Sequence, residues 1–367
     1  MNHRAEEEFK VNEANSDVYN FTFAVIALDH IHIYGMCGGL TEAGATMKWV
    51  YDPDPHKVSS FLKNFPQAKV ARSIEEILED SEVKLVASAA VPSERWKLGM
   101  KVMSHGKDYF TDKTPFVQLS HLEEVKRHAV LTGRKYMVYF NERVHSESVL
   151  SAKQLISEGQ IGRVLQVIGL GPHRLNINSR PDWFFRRADY GGILCDLGSQ
   201  QIDQFLYFTD SQNVAVSHSN VANYNHPAYP ELEDFGDCIM IGERGECLYF
   251  RVDWFTPAGL STWGDGRSMI MGTDGFIEIR KNCDIGRSGQ SDHIFWSNRS
   301  GEHYKHVKGQ IGFPFFKELI MDCLWRTENA MTQSHVFRVA DLCLQAQANA
   351  NHLTPDTLSL LAVDSGS

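Results

Sequence analysis

Lys113 stands in the segment FTDKTPF, at the carboxyl end of a strand-like run and just before a proline-bearing turn, with Asp112 directly ahead of it. A lysine at such a rim faces the crevice in which open parallel sheets bind ligands. Further along, Asp196, Gln200 and Asp203 recur four and then three positions apart in GGILCDLGSQQIDQFLYF, residues 191–208. At 3.6 residues per turn this spacing stacks them on one polar stripe of a helix. Leu194, Leu197, Ile202, Phe205 and Leu206 give the same helix its apolar faces. Dehydrogenating a secondary alcohol requires a cofactor that accepts hydride and a group that polarises or takes the hydroxyl proton. Lys113 and Asp196, brought together across a cleft, supply such a pair. Taken alone, an acid near a helix start is equally well explained as a cap for backbone amides.

A dinucleotide lies at the first strand-to-helix turn of such a sheet, yet Ala27, Asp29 and His32 hold the glycine positions of G-x-G-x-x-G. Small Ala27 still permits a tight turn, and a helix N-terminus still offers amides to a pyrophosphate. Asp29 crowds that phosphate unless it turns away or hydrogen-bonds to the loop. Asp52 closes the second strand about 20 residues on, where an acid binds ribose hydroxyls and disfavours a 2′-phosphate, so NAD is expected over NADP. The expected cofactor contacts are Ala27, Asp29, His30, His32, Asp52, Pro92 and Lys113. His30 and His32 also form an H-x-H on or just after a strand, with both side chains on one face, a pattern that opens some metal-dependent hydrolase sites. His145, His173 and His218 complete no ligand spacing, so no metal is expected, and loop packing or cofactor contact is the expected use of the pair.

The elements that must position these groups are legible as hydrophobic patterns. FTFAVIAL at 21–28 reads as a strand buried on both faces, followed by a turn into a helix and a second strand, MKWVYD. Strands VKLVASAA, DYFTDK and KYMVYF follow, alternating with helices near 55–64, at RSIEEILED, at SERWKLGMKVMSHGK and at HLEEVKRHAVLTGR. Ser73 and Glu76 have capping-box spacing, and Gly106 is placed to end a helix. After a helix ended by Gly159, the strand RVLQVIGL leads into a series of strand-like runs: NVAVSHSNVANY, DCIMIG, ECLYFRVDWF, SMIMGTDGFIEIR and DHIFWS. Two amphipathic helices, FFKELIMDCLWRT and HVFRVADLCLQAQANA, close the pattern. The fold class expected is α/β: a Rossmann-type doubly wound parallel sheet over 21–142, then an α+β domain over 143–352 with a large, mostly antiparallel open sheet, between polar tails at 1–20 and 353–367. A large sheet with few helices must cover its second face, which points to a homo-oligomer.

Composition removes several classes of function. The 367 residues are 43% hydrophobic and 22% charged, with no apolar run near the roughly 20 residues of a membrane span. A formal net charge of -10 without a basic patch argues against nucleic acid and for a small uncharged substrate, or one held by few groups. Seven cysteines without a CxxC pair point to reduced, mostly buried thiols. The polar, acidic first 20 residues lack the character of a secretion signal, so a cytoplasmic location is expected.

Asp112, Lys113 and Thr114-Pro115 resemble the E-K-P signature of the Gfo/Idh/MocA oxidoreductases, the group of glucose-fructose oxidoreductase and inositol dehydrogenase. Gly191, Gly192, Asp196, Gly198, Gln200 and Asp203 resemble its G-G-x-x-x-D-x-G-x-H-x-x-D motif, and ISEGQIGRVLQV its entry into the second domain. Motif order and spacing agree over roughly residues 21–350. The resemblance implies a nicotinamide cofactor, a sheet domain that mediates dimers or tetramers, and oxidation of a sugar, glycoside or cyclitol hydroxyl around Lys113, Asp196 and the residue at 200. The departures are the altered glycine fingerprint, D-K-T-P in place of E-K-P, Trp96 near a common histidine position, and Gln200 in place of the motif histidine. An amide orients a hydroxyl but takes no proton near neutral pH. Base duty then passes to Lys113, a water or His173, or the chain is an impaired NAD- and sugar-binding protein. On the substrate side, His173, Arg174, Trp183 and Phe184 are expected to line the cleft with Asp196 and Gln200. Trp183 is a stacking surface for a sugar ring, and Arg174 a partner for a carboxylate or phosphate.

Overall fold

The computed structural model describes residues 20–354, so the expected terminal tails lie almost wholly outside the described residues. The first half builds a six-stranded, all-parallel sheet. Its elements are β1 (Thr22–Ile26), α1 (His32–Glu42), β2 (Thr46–Tyr51), α2 (Pro55–Leu62), β3 (Lys69–Val70), α3 (Ile74–Glu79), β4 (Val83–Ser88), α4 (Arg95–Ser104), β5 (Asp108–Asp112), α5 (Leu119–Thr132) and β6 (Tyr136–Tyr139). The strand order β3-β2-β1-β4-β5-β6 reverses direction between β1 and β4. Such a switch point opens a crevice at the carboxyl ends of the strands. All five residues of β1 are buried, as its unbroken apolar run demands of a central strand covered on both faces. Ser73 caps α3 by accepting the Glu76 amide at 3.3 Å, and Gly106 at φ +72° follows the end of α4. The two-residue edge strand β3 has no pattern in the sequence.

After α6 (Asn141–Val144) and α7 (Glu147–Ser157), the chain forms a nine-stranded sheet. It contains β7 (Val164–Pro172), β8 (Val214–Ala222), β9 (Phe235–Gly242), β10 (Cys247–Asp253), β11 (Arg267–Gly272), β12 (Gly275–Arg280), β13 (His293–Asn298), β14 (Gly301–His306) and β15 (Asn351–His352). The order is β14-β13-β12-β11-β7-β10-β9-β8-β15, antiparallel except for the β7–β10 and β8–β15 pairs. The run SMIMGTDGFIEIR is two strands, β11 and β12, joined at Thr273-Asp274. Helices α8 (Arg187–Tyr190), α9 (Ile193–Asp196), α10 (Gly198–Thr209), α11 (Phe315–Trp325) and α12 (Gln333–Ala348) complete the chain. Gly169 and Gly171 let α10 lie close on β7: a Cβ at either would sit 2.4 or 2.8 Å from the Gln201 amide.

On the opposite face of this sheet, register aligns Ile239, Tyr249, Ile168, Met269, Glu278, Phe295 and Tyr304 in one row. Met269, Met271 and Phe276 are each 44% exposed there. The two sheets are joined through the C-terminal helices, where Gln333 pairs with both backbone groups of Tyr136 on β6 at 2.8 Å. No helix among the described residues is long and apolar enough to cross a membrane. All seven cysteines are free, six of them buried.

The 191–208 stretch is not one helix. Gly191 and Gly192, at φ +89° and +94°, turn the chain out of α8, and the path breaks again at Leu197 between α9 and α10. Positive φ is open to glycine without a Cβ penalty, so the pair can be a hinge where other residues would be strained.

Candidate functional site

Lys113 follows β5 at its carboxyl end, and Asp196 closes α9 from the other half of the chain. Their side chains meet across the boundary, Lys113 Nζ donating to Asp196 Oδ1 at 2.5 Å, with side-chain exposures of only 6% and 15%. Burial pushes the Asp196 carboxyl up, and the Lys113 charge and hydrogen bond more than reverse this, leaving it below the ordinary value. The pair lines a cleft of about 350 Å³ together with Asp29, His30, His32, His173, Arg180, Trp183, Gln200, Trp254 and Trp263. The structure therefore brings Lys113, His173, Trp183, Phe184, Asp196 and Gln200 to one cleft from both sheets, but not Arg174 or Asp203.

Gln200 presents its amide to α6: its Nε2 donates to Asn141 Oδ1, and its Oε1 accepts the Glu142 amide at 3.3 Å. Asp203, expected on the same wall, instead faces away into the core. There it takes Arg143 at 2.7 and 2.9 Å and His335 at 2.7 Å, and is fully buried. Asp203 is structural because it lies about two turns beyond Asp196, where Arg143 and His335 enclose it.

His173, just past β7, donates from Nδ1 to the Gly171 carbonyl at 3.1 Å, which leaves Nε2 as an acceptor. Nε2 lies 3.7 Å from Glu142 Oε1, an atom that has no hydrogen-bond partner. Glu142 Oε2 is anchored by Lys281 at 2.6 Å and Gln201 at 3.1 Å. Burial lowers the His173 pKa below 6.5 and Glu142 partly restores it, so the imidazole is neutral at neutral pH.

His30 and His32 sit in the turn and at the first position of α1 and not on a strand, because β1 ends at Ile26. Their rings are perpendicular, and both turn to Asp112, with His30 Nδ1 to Oδ2 and His32 Nδ1 to Oδ1 each 2.8 Å. Asp112 also accepts the Lys113 amide at 2.8 Å and lies 3.3 Å from the buried Arg95 guanidinium. Burial opposes its charge, yet the histidines and Arg95 hold it well below the ordinary carboxylate range. A carboxylate only accepts, so both imidazoles donate from Nδ1. Burial and the neighbouring His32 bring His30 down to about 4. These three side chains have the donor set and proximity to hold a cation. A dication there would have to displace both imidazole hydrogen bonds and sit beside a fixed guanidinium, so the donor set serves the hydrogen-bonded triad better.

A second cavity, of about 450 Å³, continues from the first through Asp29 and is lined by Ala27, Tyr51, Asp52, Pro53, Lys57, Ala90 and Val91. Ala27 adopts φ +69°, the conformation that the glycine of a dinucleotide turn takes freely. Asp29 turns away from the turn's mouth to Lys57 at 2.5 Å. Asp52 is buried, each oxygen accepting one amide, Leu28 at 2.7 Å and Asp54 at 2.9 Å. No N-cap side chain closes α1, and its first turn bonds back to the loop, Ile33 N to the His30 carbonyl and Tyr34 N to the Ile31 carbonyl, each at 3.2 Å. Pro92, expected among the cofactor contacts, lines neither cavity: it is buried at the start of a short 3₁₀ turn, and Ala90 and Val91 take the wall. Trp96 stacks on His121 with ring centroids 4.1 Å apart, away from the cleft.

Arg174 was expected to receive an anion, but its Nη2 is spent on loop carbonyls, including Pro257 at 3.1 Å and Thr262 at 3.0 Å. Arg180 is the cleft cation in its place. It, Trp254 and Trp263 had no motif to mark them; the aromatic density of RPDWFF was the available signal.

Residues 149–278 match the family model described as the GFO/IDH/MocA C-terminal domain. The chain is 46% identical to an oxidoreductase of known crystal structure from Erwinia carotovora atroseptica SCRI1043, covering 91% of this chain and 100% of that one at a TM-score of 0.89. It is 30% identical to scyllo-inositol 2-dehydrogenase (NADP(+)) of Bacillus subtilis over 146 residues, 40% of each chain, so the match spans well under half the length of that curated relative. Levoglucosan dehydrogenase, solved in complex with NADH, shares the fold at 15% identity and a TM-score of 0.71, over 89% of this chain and 97% of that one.

Proposed function

Since the chain belongs to the Gfo/Idh/MocA family of oxidoreductases, we propose that it oxidises a secondary hydroxyl of a sugar, glycoside or cyclitol to a ketone, or runs the reverse reaction, with NAD as its cofactor. The observation that carries this reading is the buried Lys113–Asp196 pair, formed across the two sheets at the mouth of the uncapped helix α1. The cavity beside Asp52, the left-handed turn at Ala27 and the positive end of the α1 dipole fit a dinucleotide laid along the strand ends. Asp52 at the ribose end favours NAD over NADP. When bound, the nicotinamide supplies or accepts the hydride.

This chain's own residues do the rest. Lys113 Nζ, held by Asp196, hydrogen-bonds the reacting oxygen and stabilises charge developing on it. Gln200 orients the neighbouring hydroxyl, and Trp183 gives the ring an apolar wall. His173 takes the hydroxyl proton at Nε2, and Glu142, 3.7 Å from that same nitrogen, stabilises the imidazolium that forms. Free cysteines accord with a cytoplasmic location, and the open sheet face with a homo-oligomer.

A second reading, an impaired NAD- and sugar-binding protein, draws on Gln200, whose amide is committed to Asn141 and Glu142. Denaturing the purified protein and assaying the supernatant for NAD(H), NADP(H) and metals, followed by turnover with a panel of sugars and cyclitols, separates the readings. Nicotinamide binding with turnover supports the oxidoreductase, and binding without turnover supports the impaired protein. Stoichiometric metal without nicotinamide would favour a hydrolase built on His30, His32 and Asp112. NADP bound more tightly than NAD would overturn the cofactor assignment.

A further inference from the structure

The charges lining the cleft do not balance. Lys113 is paired with Asp196, Asp29 with Lys57, and His30 and His32 with Asp112. Arg180 is the exception among the described residues. Its Nε donates to the Leu175 carbonyl at 2.8 Å, and its terminal nitrogens have neither a carboxylate nor a hydrogen-bond acceptor. Three aromatic rings crowd its guanidinium carbon, those of Phe184 at 4.4 Å, Trp254 at 4.9 Å and Trp263 at 5.5 Å. They contribute cation–π attraction and fix the group, while displacing the water that would otherwise solvate it. Burial lowers the Arg180 pKa, which is the cost of holding that charge without a counter-ion. The nearest acid is Asp196, already bound to Lys113. A protein with a formal net charge of -10 thus keeps one uncompensated, immobilised cation in the wall of its cleft.

We propose that Arg180 is the recognition site for an anionic group on the substrate, a carboxylate or a phosphate, so that the hydroxyl presented to Lys113 and Asp196 belongs to an acidic sugar or polyol and not to a neutral one. The proposal rests on the oxidoreductase reading for its chemistry but not for its binding. A guanidinium presents two parallel N–H groups on its outer edge, which match the paired oxygens of a carboxylate or phosphate. Its Nε bond to Leu175 and the three rings pre-orient that edge, so little side-chain entropy is lost on binding. The anion in turn fixes which hydroxyl of a ring reaches Lys113. Of the two alternatives that net charge left, an uncharged substrate or one held by few groups, this selects the second.

The test compares one carbon skeleton in three forms, glucose, gluconate or glucuronate, and glucose 6-phosphate, with inositol as a second neutral compound. Calorimetry on the full-length protein with NAD present, and kcat/KM for each compound, are measured for wild type, Arg180→Met and Arg180→Lys. The expected result is that an acid binds and turns over better than its neutral counterpart, and that Arg180→Met lowers the acid-to-neutral ratio about 100-fold, with partial recovery in Arg180→Lys. The carboxylate and phosphate arms tell the two anions apart. Equal handling of neutral and acidic compounds by wild type would overturn the proposal, as would an equal loss for both in Arg180→Met. A dinucleotide Kd that rises in Arg180→Met as far as acid binding falls would overturn it too, assigning the arginine to the cofactor. Acid binding that depends on Arg180 in a protein that turns nothing over supports the site and refutes the oxidoreductase reading, which keeps the two failures distinct.

Discussion

Replacing Lys113 by methionine keeps the length of the side chain and removes its charge. Two losses follow, and both have magnitudes set by the geometry. Lys113 Nζ is 2.5 Å from Asp196 Oδ1 in a site where the two side chains are 6% and 15% exposed. Removing one member of a buried ion pair strands the other, at a cost of about 3–5 kcal/mol. Asp196 retains some solvent and can protonate, so a loss near the lower end, about 3 kcal/mol, is expected at neutral pH. The second loss is catalytic: without the ammonium beside the reacting oxygen, kcat should fall about 10²–10⁴-fold, or about 2.7–5.4 kcal/mol of barrier. Denaturant unfolding and the appearance of reduced nicotinamide at saturating substrate read the two effects separately.

The pH dependence carries a sign. In the wild type the Asp196 pKa lies below its ordinary 3.8, so its contribution to stability is present above that value and is lost as pH falls through the folded pKa. In Lys113→Met the largest charge opposing burial is gone and only the weaker influence of His30 and Arg180 remains, so the folded pKa rises relative to the wild type and protonation relieves the stranded charge. The gap between the two proteins should be widest near neutrality and narrow toward pH 3.8. The double variant Lys113→Met/Asp196→Asn should recover much of the stability, since no charge is stranded, while remaining slow. A kcat for Lys113→Met within about tenfold of wild type would refute the catalytic role. Strict additivity in the double variant would refute the coupling.

The acid limb of kcat/KM should lie below pH 6.5, because the active form of His173 is neutral and burial lowers its pKa. Glu142→Gln removes the charge that raises that pKa and should move the limb further to acid; an unmoved limb would show that another group is the base. Gln200→His should change kcat by less than about tenfold if His173 already serves, whereas a gain near the 10²-fold expected of an added general base would mean that the base was missing. Met269→Glu combined with Phe276→Glu places charges in the exposed sheet face. Light scattering should then report a protomer where the unaltered chain associates, and an unchanged mass would move the interface elsewhere.

Much of the first sheet was legible because its strands are buried on both faces, which forces unbroken apolar runs such as Thr22–Ile26. The cleft residues Lys113, Asp196 and Gln200 were legible because local rules, a strand end and a helical repeat, restrict where their side chains point. The same rules do not say what each residue of a stripe meets. A single 3.6-residue stripe sets Asp203 on the wall of Asp196, but two turns further along its neighbours are Arg143 and His335. The H-x-H pair is expected on or just after a strand because pattern alone does not fix the end of β1; it lies after it, and Asp112, the acid that binds both histidines, is 80 positions from His32.

The sequence by itself therefore determined the order of elements, the parallel first sheet, the reduced thiols and the identity of the groups able to do chemistry. These are consequences of periodicity, composition and local spacing. Only the tertiary structure decided the pairings. That Arg174 is consumed by loop carbonyls while Arg180 stands uncompensated among Phe184, Trp254 and Trp263 depends on segments up to 88 residues apart meeting in space. Electrostatic role is set by which opposite charge lies within a few ångströms, and that distance is a property of packing, which no local pattern encodes.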